Sequence, residues 1–122
     1  MLLAAQILTG AVALLHLWFL ILEMFLWQKP IGMKTFRQNV ETAKTTAVLA
    51  ANQGLYNGFL AAGLVTSFVI GNAETAFAFR CFFLGCVVVA GIFGALSVSR
   101  RIFLVQALPA LTALALSLLA FR

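Results

Sequence analysis

The sequence has little charge for its length. Charged residues make up 9% of its 122 residues, and three of them are acidic, whereas a soluble globular domain has about 25% charged residues. Hydrophobic residues make up 64%, and the mean hydropathy is +1.10. This shortage of charge excludes a soluble domain and predicts an integral membrane protein. About four spans of ~20 residues fit into the chain, so we expect no extramembrane domain.

Metal ligands are also scarce. His16 is the single histidine, which excludes haem held by two axial histidines. Cys81 and Cys86 lie five residues apart on a predicted helix, so the helical rise separates them too far for a disulfide bond. They also lie far from the carboxylate of Glu23 in the predicted fold, so they do not complete a metal site with it. We therefore expect no metal and no cofactor.

The net charge of +5 comes from basic residues that cluster between the apolar runs. The first and third connections contain Lys29, Lys34, Arg37, Lys44, Arg100 and Arg101, and only Arg80 and Arg122 fall on the other side. Because basic residues accumulate on the cytoplasmic side, this distribution predicts both termini outside and a multi-pass protein of the plasma (inner) membrane. It offers no stripe for a phosphate backbone, so we expect the lipid bilayer as a partner and no nucleic acid.

Four apolar runs define the predicted fold. The predicted spans are residues 2–27, 46–70, 76–98 and 102–121. Pro30 and Gly32 end the first span, and the connection over residues 29–45 is predicted as either a short amphipathic helix on the headgroup layer or a plain loop. The connections are short, which predicts up-down-up-down order. The expected fold class is all-α, a polytopic membrane protein in which residues 1–122 form a single antiparallel four-helix transmembrane bundle.

A polar string interrupts the second span. If this span is helical, its strongly polar side chains fall within one arc of roughly 140°, and they are Asn52, Gln53, Tyr56 and Asn57. Lipid offers no hydrogen-bond partner, so such side chains must face protein, water or a ligand. Gly54 and Gly58 lie on the opposite side at the spacing that lets a second helix approach closely. One face is therefore predicted to bind and the other to pack.

The first span has a polar stripe of its own. Thr9, His16 and Glu23 recur every seven residues and so share one helix face. Counting depth from the cytoplasmic end predicts two polar layers. Glu23 falls with Asn52, Gln53 and Gln106, whereas His16 falls with Tyr56 and, less clearly, Asn57.

Small residues in the third span favour close helix contact. Ala90 and Gly94, and Gly91 and Ala95, have the small-x-x-x-small spacing. The glycine faces of the second or third span are the natural place for a parallel homodimer, and a monomer is the alternative. In the fourth span Pro109 has no backbone N–H to bond the carbonyl of Val105, so a bend is expected beside Gln106.

Several motifs together resemble a known family. They are His16, the run Leu22-Glu23-Met24-Phe25-Leu26-Trp27, Pro30, Gly32, the run from Ala51-Asn52-Gln53-Gly54-Leu55-Tyr56-Asn57-Gly58 to Gly63, Cys86, Val89-Ala90-Gly91-Ile92, Val105-Gln106 and Pro109. The chain resembles the small, mostly bacterial four-span membrane proteins of the domain of unknown function 1304 family. The resemblance implies a polytopic membrane protein and leaves its chemistry open. The polar residues that the depth argument selects match the family pattern as well.

Three classes of function follow from these residues. The first is binding or proton-coupled transport of a small or lipophilic molecule, with Glu23 as a protonatable gate or cation site and His16 as a proton carrier or hydrogen-bonding group. Here a small amphiphile or lipid is the ligand. The second is an intramembrane enzyme acting on a lipid-soluble substrate, which uses His16 and Glu23 as an acid–base pair, with Tyr56 or Asn57 stabilising charge. The third is a structural or assembly protein whose polar layers only fix helix order and register.

Overall fold

The computed structural model describes residues 1–121, which are helical apart from short turns and contain no strand. The elements are α1 (Leu2–Met24), α2 (Pro30–Thr35), α3 (Val40–Val69), α4 (Ala73–Ser97), α5 (Arg100–Ile102), a π-helical segment (Phe103–Ala107) and α6 (Leu108–Ala120). The predicted all-α class is confirmed. Arg122, which entered the count of basic residues, lies outside the described residues.

Among the described residues, three helical stretches are long and apolar enough to cross a membrane, judged by length and composition. They are Leu2–Met24, Ala73–Ser97 and Arg100–Ala120. Helix α3 is longer, at 30 residues, and an α-helix of that length is about 45 Å long. It falls outside this set because it is more polar, with Glu41 and Lys44 near its start and the amide string in its middle.

The first connection is more helical than a plain loop. Pro30 begins α2. At the first position of a helix a backbone N–H has no intrahelical acceptor, so proline loses no hydrogen bond there. Arg37 adopts a left-handed conformation with φ of 54°, and the N–H of Gln38 then bonds the carbonyl of Met33 at 2.8 Å. Asn39 caps the next helix by accepting from the N–H of Thr42. Because of this cap, α3 starts at Val40 and not near residue 46.

The chain forms two compact units. One is Leu14–Phe59, and the other combines Met1–Ala13 with Leu60–Arg122. We call them the Glu23 unit and the Arg80 unit after a charged residue type that each one buries. Helices α1 and α3 contribute to both units. The apolar core of the Arg80 unit consists of Val12, Ala13, Leu64, Leu84, Val87, Ala110 and Ala113.

Small residues bring α4 against the following segment in the Arg80 unit. A Cβ at Gly91 would lie 2.7 Å from the backbone N of Ala107, and one at Gly94 would lie 2.8 Å from Cγ2 of Ile102. The N–H of Leu108 bonds the carbonyl of Phe103, which is the π-helical spacing. Pro109 follows directly and has no N–H to offer. A π-helical turn therefore occupies the place where the sequence predicts a bend.

Candidate functional site around Glu23

Glu23 lies in the last turn of α1 and is only 3% exposed. Its Oε1 accepts a hydrogen bond from Nδ2 of Asn57 on α3, at 2.5 Å. A carboxyl group away from water is costly unless it is hydrogen-bonded. The amide of Asn57 therefore stabilises an acid that the apolar surroundings alone would not tolerate.

Two glycines of α3 determine which residue reaches Glu23. A Cβ at Gly54 would lie 3.0 Å from Cβ of Glu23 and 2.8 Å from Cγ of Met24. A Cβ at Gly58 would lie 2.6 Å from Cδ1 of Leu20. Helix α1 therefore packs directly on the glycine face of α3, which holds the two helices in one register.

This register differs from the predicted polar layers. Depth counting grouped Glu23 with Asn52 and Gln53, whereas the structure pairs it with Asn57 and leaves Asn52 and Gln53 exposed. The reason is angular. On a helix Asn57 lies about 60° from Gly54, Gln53 about 100° and Asn52 about 160°, so only Asn57 borders the face on which α1 packs.

Tyr56 also lies away from the glycine face, about 160° from Gly54. Its side chain is 57% exposed, and its ring contacts that of Phe59 with centroids 5.9 Å apart. Together with Asn52 and Gln53, it forms an exposed polar face of α3.

The polar stripe of α1 is buried along its length. Thr9, His16 and Glu23 are 0%, 0% and 3% exposed. The hydroxyl of Thr9 donates to the carbonyl of Ala5 at 2.7 Å, and the His16 ring meets Phe19 edge-on with centroids 5.4 Å apart. Seven residues of helix place the attachment points of His16 and Glu23 about 10 Å apart along the helix axis.

A cleft of about 340 Å³ in the Glu23 unit is lined in part by Glu23. Met24, Phe25 and Trp27 supply apolar wall, and the polar side chains of Gln28 and Lys29 line the cleft as well. Both polar residues are exposed. The cleft therefore combines one buried acid with an apolar wall and a polar margin.

The wall of this cleft is anchored. Nε1 of Trp27 donates to Oγ1 of Thr46 at 3.1 Å, and the Trp27 ring packs on Phe36 with centroids 4.8 Å apart. Gly32 of α2 is buried so closely that a Cβ there would lie 1.9 Å from the carbonyl oxygen of Leu26. The turn after α1 is thus tied to α2 and α3.

Residues 10–118 match a family described as "Protein of unknown function (DUF1304)". The chain belongs to the DUF1304 family. No curated protein and no solved structure matches it. Glu23 and Asn57, which bond each other, both lie within the region that matches the family.

The remaining predicted residues of this DUF1304 protein belong to the Arg80 unit. Gln106 belongs to the π-helical segment of the Arg80 unit and is half-buried. Cys81 and Cys86 are free thiols on α4. Within residues 1–121, no group of three or more His, Cys, Asp or Glu side chains is arranged to hold a metal ion.

Sequence reasoning missed one buried cation. Arg80 had been counted only as a charge outside the cytoplasmic connections, yet it is 6% exposed. Its Nε donates to Oγ of Ser117 on α6 at 3.1 Å, and that hydroxyl donates to the carbonyl of Ala113 at 2.8 Å. The available signal was its position seven residues inside an apolar helix, since ionisable residues in such segments are often functional.

Proposed function

We propose that this DUF1304 protein binds a small lipophilic cation at Glu23 and exchanges it for a proton. The observation that supports the proposal is a buried acidic residue in the lining of a cleft that also contains the apolar side chains of Met24, Phe25 and Trp27. Protonated, the group is neutral and tolerable in this setting. Ionised, it needs a counter-charge, and a cation with an apolar body meets both the acid and the wall.

The other polar residues have secondary roles in this proposal. Asn57 holds one carboxyl oxygen in place, so the other remains for a ligand or proton. His16 is the proposed proton carrier deeper along α1. An enzyme that uses His16 with Glu23 has less support, because about 10 Å of helix separates their attachment points.

We further propose that α3 is a fourth crossing in a single four-span bundle. Its length of about 45 Å exceeds the hydrocarbon thickness of about 30 Å, and the Glu23 unit packs it closely on an apolar span. Four crossings place both termini on one side of the membrane, which the basic connections put outside a bacterial inner membrane. Three crossings would place the termini on opposite sides.

Thiol labelling tests this topology. Cys81 and Cys86 are first replaced by alanine, and single cysteines are then introduced at Leu2 and at Phe121. In intact cells, a membrane-impermeant maleimide should label both positions. Labelling of only one of them would contradict the four-span arrangement.

A homodimer has a further surface available besides the predicted glycine faces. Gly54 and Gly58 already pack on α1, and Gly91 packs on Ala107. The exposed amides of Asn52 and Gln53 remain for a second copy, because each amide both donates and accepts hydrogen bonds. Cross-linking of an Asn52→Cys variant in membranes should give dimers if this face is used.

Binding of tetraphenylphosphonium tests the site itself. In a neutral maltoside detergent, Glu23→Gln should weaken binding of this cation at least tenfold, since it keeps the shape and removes the charge. The matched control is Glu41→Gln, which changes an exposed acid at the start of α3 and should bind as the parent does. Equal binding by Glu23→Gln and the parent would refute the proposed function.

A further inference from the structure

The Arg80 unit contains a second buried charge that the proposed function does not use. Arg80 lies on α4 and Ser117 on α6, with the guanidinium Nε bonded to the Ser117 hydroxyl. Both side chains are buried, with exposures of 6% and 0%. The hydroxyl is neutral and donates its own hydrogen to the carbonyl of Ala113. It therefore accepts from one N–H of the guanidinium but does not balance the positive charge.

The charge has no carboxylate beside it on its own helix. Among the described residues, Glu74 is the one acidic side chain in the Arg80 unit, and it is exposed. It precedes Arg80 by six residues, which places it about 120° around the helix and about 9 Å along it. A buried cation is costly unless it is paired, and the fold supplies a neutral partner here.

Aromatic rings flank the pair on the side of the helix ends. Phe77 lies three residues before Arg80, and Phe121 lies four residues after Ser117, so each ring belongs to the same face as its polar neighbour, one turn nearer the end. The two rings stack with centroids 3.8 Å apart and planes within 6°. The stack therefore involves residues one turn nearer the end of the helix pair than Arg80 and Ser117, on the side where lipid headgroups would lie.

From these contacts we infer that Arg80 is a binding site for an oxyanion, the phosphate or carboxylate group of an amphiphile or a free anion. A guanidinium presents its N–H groups in a planar fork that matches both anions. Arg80 is about 10 Å from the start of α4, a depth that a phospholipid phosphate reaches from the headgroup layer when the Phe77 and Phe121 rings part. This site is independent of Glu23.

The test is thermal unfolding of the full chain in neutral maltoside detergent. Additions are phosphatidylglycerol, phosphatidylcholine or inorganic phosphate. Phosphatidylglycerol should raise the unfolding temperature by several degrees, and phosphatidylcholine, which has no net charge, should raise it less. A matching rise with inorganic phosphate would identify the free anion as sufficient, and its absence would identify the lipid as the source. No rise with either anion would overturn the site.

Variants distinguish this site from general attraction to basic residues. Arg80→Gln should lose most of the rise, measured against its own lipid-free value, whereas Arg101→Gln removes an exposed charge and should keep it. Ser117→Ala leaves the charge intact and frees Nε, so its rise should persist even if Arg80→Gln fails to fold. Equal rises in Arg80→Gln and the parent, or loss of the rise in Ser117→Ala, would overturn the inference.

Discussion

The Glu23 unit and the Arg80 unit both bury an ionisable side chain against a neutral partner on another helix, but with opposite charge and different surroundings. Glu23 bonds Asn57 beside a cleft of about 340 Å³. Arg80 bonds Ser117, and Phe77 and Phe121, one turn nearer the helix ends, stack on each other. A carboxyl group can discharge itself by taking a proton, whereas a guanidinium stays charged.

This difference assigns the two sites different chemistry. The acid can alternate between a proton and a cation, which suits exchange. The guanidinium keeps its charge and therefore needs a standing counter-ion, which suits retention of an anion. Substitutions in the two units test this contrast.

The largest effects should come from filling the glycine contacts that hold each pair. Gly54→Val would push α1 away from α3 in the Glu23 unit, and Gly91→Val would meet the backbone of Ala107 in the Arg80 unit. Each should cost about 2–3 kcal/mol of unfolding free energy, measured by SDS titration in mixed micelles. Gly85→Val is the control, because a Cβ there meets nothing within 4 Å. A similar loss in Gly85→Val would show that valine destabilises these helices generally.

Removing the partner of the acid should have the next largest effect. Asn57→Leu leaves the buried carboxyl group of Glu23 without its amide donor, and we expect a cost of about 1–2 kcal/mol by the same titration. Asn52→Leu, which changes an exposed amide of the same helix, should change stability by less than about 0.5 kcal/mol. If Asn52→Leu proves the more harmful, the register set by Gly54 and Gly58 is incorrect.

Removing the partner of the cation should have the smallest effect. Ser117→Ala deletes one neutral hydroxyl, and hydrogen bonds between membrane helices average about 0.6 kcal/mol. The loss should therefore be smaller than that of Asn57→Leu in the same assay. Thr112→Ala is a suitable control on α6, because its exposed hydroxyl bonds only the carbonyl of Leu108 in its own helix. A Ser117→Ala cost above that of Asn57→Leu would reverse the proposed ranking of the two pairs.

Periodicity and composition were enough to predict the helical class and the apolar character of three stretches. They were less informative about α3, because the amides that interrupt its apolar run lower the mean hydropathy of the helix. The start of α3 at Val40 depends on the Asn39 cap, and that cap depends on the turn at Arg37. A single sequence contains no pattern that predicts a left-handed backbone conformation at an arginine.

The candidate site was predicted in part. The sequence predicts a polar site that contains Glu23 and the amide string. Counting depth from assumed helix ends, however, pairs Glu23 with Asn52 and Gln53. The glycine face alone predicts the better partner, because only Asn57 borders it. Arg80 was missed for another reason: charge counting treats every basic residue as a topology signal and does not ask whether its side chain is buried.

Proton release tests the central claim, that Glu23 exchanges a proton for a cation. Tetraphenylphosphonium is added to detergent-solubilised protein in weakly buffered acidic solution, where Glu23 carries its proton, and a pH-sensitive dye reports the release. The parent should release close to one proton per bound cation, and Glu23→Gln should release none. Binding by the parent without release, or equal release from Glu23→Gln, would contradict the exchange.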